Sequence, residues 1–178
     1  MNDDSSSTNR WDNEDALLAA IEKARALRRA DDLEASQNLL LELMEHRADH
    51  PLVLFEVGGS YDVMGEEEMA IPYYRRAIEA GLDGNDLQEC LICLGSTLRV
   101  VGEYEDSVNF LEQAVVEFPS RKSGRAFLAL AHYSNGDVEQ AVRELLSLLL
   151  ETTTDEDILA YADTLEYYKD NLDETAEG

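Results

Sequence analysis

The chain is short of the residues that stiffen or staple a fold. Of its 178 residues two are cysteine, three proline and one tryptophan. Two cysteines cannot build the disulfide framework of a small secreted scaffold. Three prolines leave long stretches without a helix breaker. Apolar runs are brief, as in Leu148-Leu149-Leu150, against the ~18 residues that a membrane span requires. The opening MNDDSSSTNR has neither the basic nor the apolar region of a secretory signal, so a cytoplasmic location is expected. Positive charge is scarce as well: 14 Lys and Arg face 39 Asp and Glu, for a formal net charge of −25. Such a chain lacks the clustered basic footprint that binds nucleic acid or an anionic membrane surface. Sustained period-two alternation is also missing, which argues against β-structure.

What is present is periodicity. Hydrophobic residues make up 44% of the chain, enough for a buried core. Residues 1–11 read as a polar tail. Asp12 or Asn13 can cap a helix with Glu14 and Asp15 in its first turn, where carboxylates suit the dipole. Leu17, Ala20, Ile21, Ala24 and Leu27 then recur at helical spacing, Asp31-Asp32 interrupts, and a second helix is expected from Leu33 to His46. Pro51 opens the next at a position that needs no amide donor. From there the pattern repeats as helix, Gly turn, helix, with turns at Gly65, Gly102 and Gly136 and stops at Gly81 and Pro119. Asn85 with Gln88 reads as a capping box.

Small residues recur at a fixed interval. Gly58, Gly95 and Ala129 each precede a second small residue by twelve positions: Ala70, Ser107 and Ala141. The steps from Gly58 to Gly95 and from Gly95 to Ala129 are 37 and 34 residues, and Asp31, Gly65, Gly102 and Gly136 keep the same register. The three extra residues of the longer step are expected in the Gly81–Asn85 connection. A period of this length marks a stacked repeat architecture. Its cause is steric: two antiparallel helices approach closely only where each presents little side chain. Glycine within a helix costs ~1 kcal/mol relative to alanine, so Gly58 and Gly95 point to a packing need.

These residues resemble the tetratricopeptide repeat, W-x2-L-G-x2-Y, A-x3-F, P. One unit reads Leu54-x2-Val57-Gly58-x2-Tyr61 with Ala70-x3-Tyr74. The next reads Leu91-x2-Leu94-Gly95-x2-Leu98 with Ser107-x3-Leu111 and Pro119. A third reads Arg125-x2-Leu128-Ala129-x2-His132 with Ala141-x3-Leu145, and a degenerate unit surrounds Ala24, Leu27, Ser36 and Leu40. The resemblance extends to small bacterial tetratricopeptide proteins. It implies an all-α fold, an α-solenoid of about four antiparallel helix pairs wound as a right-handed superhelix. The array is expected over residues 12–153, with units at 12–50, 51–84, 85–121 and 122–153. Leu145 to Leu150 leave the last repeat helix apolar nearly all round. A capping helix over 154–172, with its stripe at Ile158, Tyr161, Ala162, Leu165, Tyr168 and Leu172, is expected to cover it. Residues 173–178 form a tail.

Candidate chemistry is thin. Cys90 and Cys93 form a C-x-x-C, but no second pair exists and both fall among Leu91, Ile92 and Leu94 on a repeat helix, where cysteine packs as a small hydrophobe. His46 and His50 have the i, i+4 spacing of a metal pair, at a point where the helix is expected to fray before Pro51. His132 stands where the repeat has tyrosine and reads as packed. Val57-Gly58-Gly59-Ser60 lacks the spacing and lysine of a phosphate loop. Packing accounts for Gly58 but leaves Gly59 unexplained. Tyr73, Tyr74, Tyr104, Phe110, Phe118, Tyr167 and Tyr168 read mostly as core. No catalytic residue, metal or cofactor is assigned, and no enzyme is expected.

Function is therefore sought in partner binding. The resemblance implies a concave groove lined by the first helix of each pair, here Leu52, Phe55 and Gly59, then Ile92, Ser96 and Arg99, then Leu130 and Tyr133. Arg25, Arg28 and Arg29 stand at its N-terminal end. This set lacks the lysine and asparagine pattern of the carboxylate clamps that grip chaperone tails. The expectation is a scaffold that binds a peptide or helical segment of a partner protein, the arginines either recognising an acidic group or pairing locally with Glu22, Asp31 or Asp62. A self-associating structural array, monomer or homodimer, is the alternative. Metal or thiol-redox chemistry at Cys90 and Cys93 is the remote one.

Overall fold

The structure is a computed structural model that describes residues 10–175. Residues 1–9 of the expected N-terminal tail and the last three residues of the C-terminal tail lie outside the described residues. Those described are helical and carry no strand. The chain divides into two compact units, Met1–Cys90 and Leu91–Gly178.

The first unit opens with a 3-10 turn, Arg10–Asp12, followed by α1 (Glu14–Arg29) and α2 (Leu33–His46), then α3 (Pro51–Val63) and α4 (Glu67–Glu79). Helix α5 (Gly84–Val101) begins in this unit. The cap of α1 is Asn13, whose side chain accepts from Ala16 N. That of α2 is Asp32, accepting from Ala35 N. One expectation fails at the start: Trp11, read as part of a polar tail, is buried and joins Leu17, Ala20, Ile21, Leu40 and Leu43 in the core. The Arg47 guanidinium donates to its carbonyl at 2.9 Å. An indole this large is worth burying even against the cost of ordering the residues around it.

The second unit continues α5 and adds α6 (Tyr104–Glu117), α7 (Ser123–Asn135) and α8 (Val138–Thr152). Leu111 of α6 packs there with Leu128 and Ala131 of α7. The expected single capping helix is instead two short ones, α9 (Glu156–Leu159) and α10 (Ala162–Lys169). Asp155 caps the first, accepting from Asp157 N and Ile158 N.

Every pair turns in the same way. Asp31, Gly65, Gly102 and Gly136 all have φ between +64° and +93°. The amide one residue later returns to a carbonyl in the preceding helix: Asp32 to Leu27, Glu66 to Tyr61, Glu103 to Leu98 and Asp137 to His132, at 2.8–3.0 Å. This closes the orphan carbonyls of each first helix. The close approach is equally regular. Ser36 Oγ donates to Ala24 O at 2.8 Å, and Ser107 Oγ donates to Gly95 O at 2.6 Å. A Cβ on Gly58 would stand 2.8 Å from the Tyr74 ring, and one on Gly95 2.5 Å from Leu111 Cγ. The small residues are thus the points where paired helices touch.

The 37-residue step falls elsewhere than expected. The connection from α4 to α5 is no longer than the others. Instead α5 runs 18 residues where α3 and α7 run 13, and its extra turn lies at the N-terminal end. The proposed cap residue Asn85 is inside this turn, because the helix starts at Gly84.

Candidate functional site

Two polar sites occupy first helices, one in each unit. In the first unit α3 is almost wholly buried, and Glu56 stands among its apolar residues at 2% exposure. An unpaired carboxylate there would be costly. Arg25 and Arg28, three positions apart on α1, supply the counter-charge. Arg25 Nε donates to Glu56 Oε1 at 2.6 Å and Arg28 Nη2 donates to Oε2 at 2.8 Å. Arg25 Nη2 also donates to Asp86 Oδ1 at 3.0 Å. Asp86 belongs to the extra turn of α5, so the lengthened helix carries the acid that completes the cluster. Burial disfavours the charge on Arg25, but the charges and hydrogen bonds of Glu56 and Asp86 outweigh it and hold the guanidinium above its ordinary pKa.

The same cluster explains Gly59. A Cβ there would lie 3.1 Å from Arg28 Nη1 and 3.8 Å from the Tyr74 hydroxyl. Tyr74 OH donates to Asp62 Oδ2 at 3.0 Å. The glycine leaves room for a guanidinium laid across the helix.

The arginines of α1 are therefore engaged within the chain. Arg29 pairs with Glu22 at 2.6 Å, one of the local partners considered from the sequence. Arg25 and Arg28 pair chiefly with Glu56, which the sequence reading passed over. A lone acid between Phe55 and Val57 in an apolar helix was the available signal. Two of the expected contact residues on α3 also lie inward: Phe55 is buried, its ring 6.0 Å from that of Tyr74, and Leu52 packs against the core.

The second unit differs. Ile92 is half-buried against Leu111 and Leu128, and Ser96 and Arg99 are half-buried. Leu130 and Tyr133 on α7 are exposed, Tyr133 at 66%, as is Val100 beside Arg99. Arg99 has no carboxylate partner among the described residues, in a chain where acids outnumber bases by 39 to 14. It shares its repeat position with Arg28, Asp62 and Tyr133, which the steps of 34, 37 and 34 residues bring into register. At another such position Arg125 replaces Leu54 and Leu91. It pairs with Glu144 at 2.9 Å and Glu151 at 2.6 Å on α8, so a cross-helix ion pair stands in for an apolar contact.

The remaining candidates are dispersed. Helix α2 ends at His46, while His50 precedes α3 and lies 3.1 Å from Glu14 Oε1. The two histidines do not share a helix face. Cys90 is buried, its Sγ 3.7 Å from Tyr74 O, and Cys93 is half-buried. Among the described residues no group of three or more His, Cys, Asp or Glu could hold a metal ion. His132 is buried as expected. Tyr104, Tyr167 and Tyr168, read as core, are exposed. No helix of the described residues is long and apolar enough to cross a membrane.

Comparisons with known proteins agree with this architecture. The family described as tetratrico peptide repeat matches residues 51–172. No curated protein matches the sequence. Among solved structures, YrrB, described as a TPR protein with an unusual peptide-binding site, is similar with a TM-score of 0.66 at 18% identity. The match covers 86% of this chain and 78% of that one. MamA (residues 41 to the end) from Desulfovibrio magneticus RS-1 is similar with a TM-score of 0.69 at 14% identity, covering 92% and 87%.

Proposed function

The chain belongs to the tetratricopeptide repeat family, and we propose that it is a non-catalytic interaction module. Its first-helix residues in the second unit bind an extended or helical segment of a partner protein. The fold supports a scaffold for protein–protein interaction. The observation that carries the finer reading is Arg99, an arginine without a carboxylate partner among the described residues, at a repeat position otherwise occupied by Arg28, Asp62 and Tyr133. Exposed Leu130 and Tyr133 on α7 offer apolar and aromatic contact, the side-chain types that anchor interfaces. Arg99 would fix orientation by pairing with an acidic side chain or a terminal carboxylate of the segment. The peptide-binding site for which YrrB is described supports the same class of ligand.

Arg25 and Arg28 are not part of this surface, since Glu56 already holds them. Nor is Phe55, whose truncation would disturb the core. The test is a comparative pull-down with the double variant Arg99→Ala/Tyr133→Ala. The expected result is loss of the partners recovered by the unaltered chain, with unchanged helical circular dichroism. Val116→Ala, at an exposed apolar position on α6, should recover them all. Recovery of the same partners by the double variant would overturn the reading.

A further inference from the structure

We propose that the C-terminal end of the second unit is a separate docking surface, and that its occupant is a cationic amphipathic helix of a partner protein. The inference starts from register. Leu40, Tyr74, Leu111 and Leu145 occupy one repeat position, 34, 37 and 34 residues apart. The first three are each 0% exposed, whereas Leu145 is 45% exposed. The reason is visible at Leu111, which is covered by Leu128 and Ala131 of α7, the first helix of the following pair. Among the described residues no helix after α8 covers Leu145 in this way. Leu149, one turn beyond Leu145 on the same face, is exposed too.

The chain's own cover is insufficient. Helix α10 packs on α8, yet neither α9 nor α10 contains a buried residue. Leu159, Tyr161 and Tyr168 remain exposed on this segment. An apolar edge left open by a stacked repeat is a place where one more helix fits, because each unit buries its face only against a neighbour.

Charge selects the occupant. The bases of residues 139–175 are Arg143, paired with Glu139 and Asp170, and Lys169, paired with Glu166. Glu156, Asp157, Asp163 and Asp173 are exposed and have no cationic partner among the described residues. A second copy of this chain would bring a further net charge of −25 against this acidic edge, and like-charge juxtaposition disfavours that pairing. A helix with apolar residues on one face and Lys or Arg on the other satisfies both halves of the surface, and the exposed tyrosines offer cation–π contact to its charged side chains.

The experiment titrates the full chain with a synthetic helix of Leu on one face and Lys on the other, by isothermal titration calorimetry at ~0.15 M salt, where long-range charge effects are largely screened. The unaltered chain should bind it. Leu145→Ser/Tyr168→Ser should weaken binding about tenfold or more, while the Arg99→Ala/Tyr133→Ala variant should bind as the unaltered chain does, separating this surface from the one proposed above. The charge reversal Glu156→Lys/Asp163→Lys, at exposed positions, should weaken binding as well and decides the matter if the Leu145 variant loses helicity. Equal binding by the variants, or equal binding of a Leu/Glu helix, overturns the proposal. So does a sedimenting dimer that Leu145→Ser/Tyr168→Ser dissociates, since the occupant is then a second copy.

Discussion

Glu56 holds two arginines that reach it from α1, and its own burial is tolerated only because of them. Removing one member of such a cluster leaves uncompensated charge behind. Glu56→Ala should therefore destabilise the first unit by roughly 2–4 kcal/mol, near the lower end of the buried-pair range because both guanidinium groups are partly solvated. Urea unfolding followed by circular dichroism measures this. Arg29→Ala breaks only the exposed pair with Glu22 and should change stability by less than about 0.5 kcal/mol. Similar losses from both variants would show that the cluster contributes little. The adjacent glycines make a second contrast. At Gly58 a methyl group meets the buried Tyr74 ring and, at 3.3 Å, Ala70 O, so Gly58→Ala should cost about 1 kcal/mol or more even after its helix-propensity gain. At Gly59 it meets only the tip of the Arg28 guanidinium at 3.1 Å, and no backbone atom, so a shift of a few tenths of an ångström relieves the contact and Gly59→Ala should fall within about 1 kcal/mol of the unaltered chain. Gly58 was legible in the sequence because its partner Ala70 recurs at a fixed interval. Gly59 was not, because Arg28 lies 31 positions away and outside any period.

Among elements, α7 and α8 are tied by Arg125 and Lys122. Hydrogen bonds from Lys122 and then Arg125 pull the Glu151 carboxyl down to about 2. Its folded pKa is thus below its unfolded value, so the unfolded chain binds the proton more readily. The stabilisation from Glu151 is fully present above about pH 4.5 and is lost as pH falls toward about 2. Because Glu151 is substantially exposed, its contribution is small, under about 1 kcal/mol. The unaltered chain should be slightly more stable than Glu151→Gln at neutral pH, and the two should draw together in thermal melts as pH falls from about 4.5 toward about 2. A gap that persists to pH 2 would assign the difference to shape rather than charge. Helix boundaries were largely readable: Leu33 to His46 and the Pro51 start came from caps and breakers in the residues themselves. The start of α5 at Gly84 and the break of the last helix into α9 and α10 were not, since both depend on contacts made after folding.

For the molecule as a whole, the dominant quantity is the net charge of −25. Self-repulsion opposes compaction, and salt relieves it over distances beyond about 10 Å. Thermal unfolding midpoints should rise as sodium chloride is raised from ~10 mM to ~500 mM, over which the Debye length falls several-fold. A flat or falling midpoint would mean that the internal ion pairs, which salt weakens, outweigh the repulsion.

The sequence by itself determined the architecture of the repeat: where helices pair, where they turn, and which small residues let them touch. Those features are carried by neighbours in the chain or by a period, and both can be read in one dimension. Only the tertiary structure decided that Glu56 captures Arg25 and Arg28, that the lengthened α5 brings Asp86 to Arg25, and that Arg99 is left without an acid among the described residues. It also decided that Leu145 lies open where Leu40, Tyr74 and Leu111 are covered. Burial and charge pairing depend on what another helix presents at the same point in space, and the spacing of residues along a single helix does not contain that information.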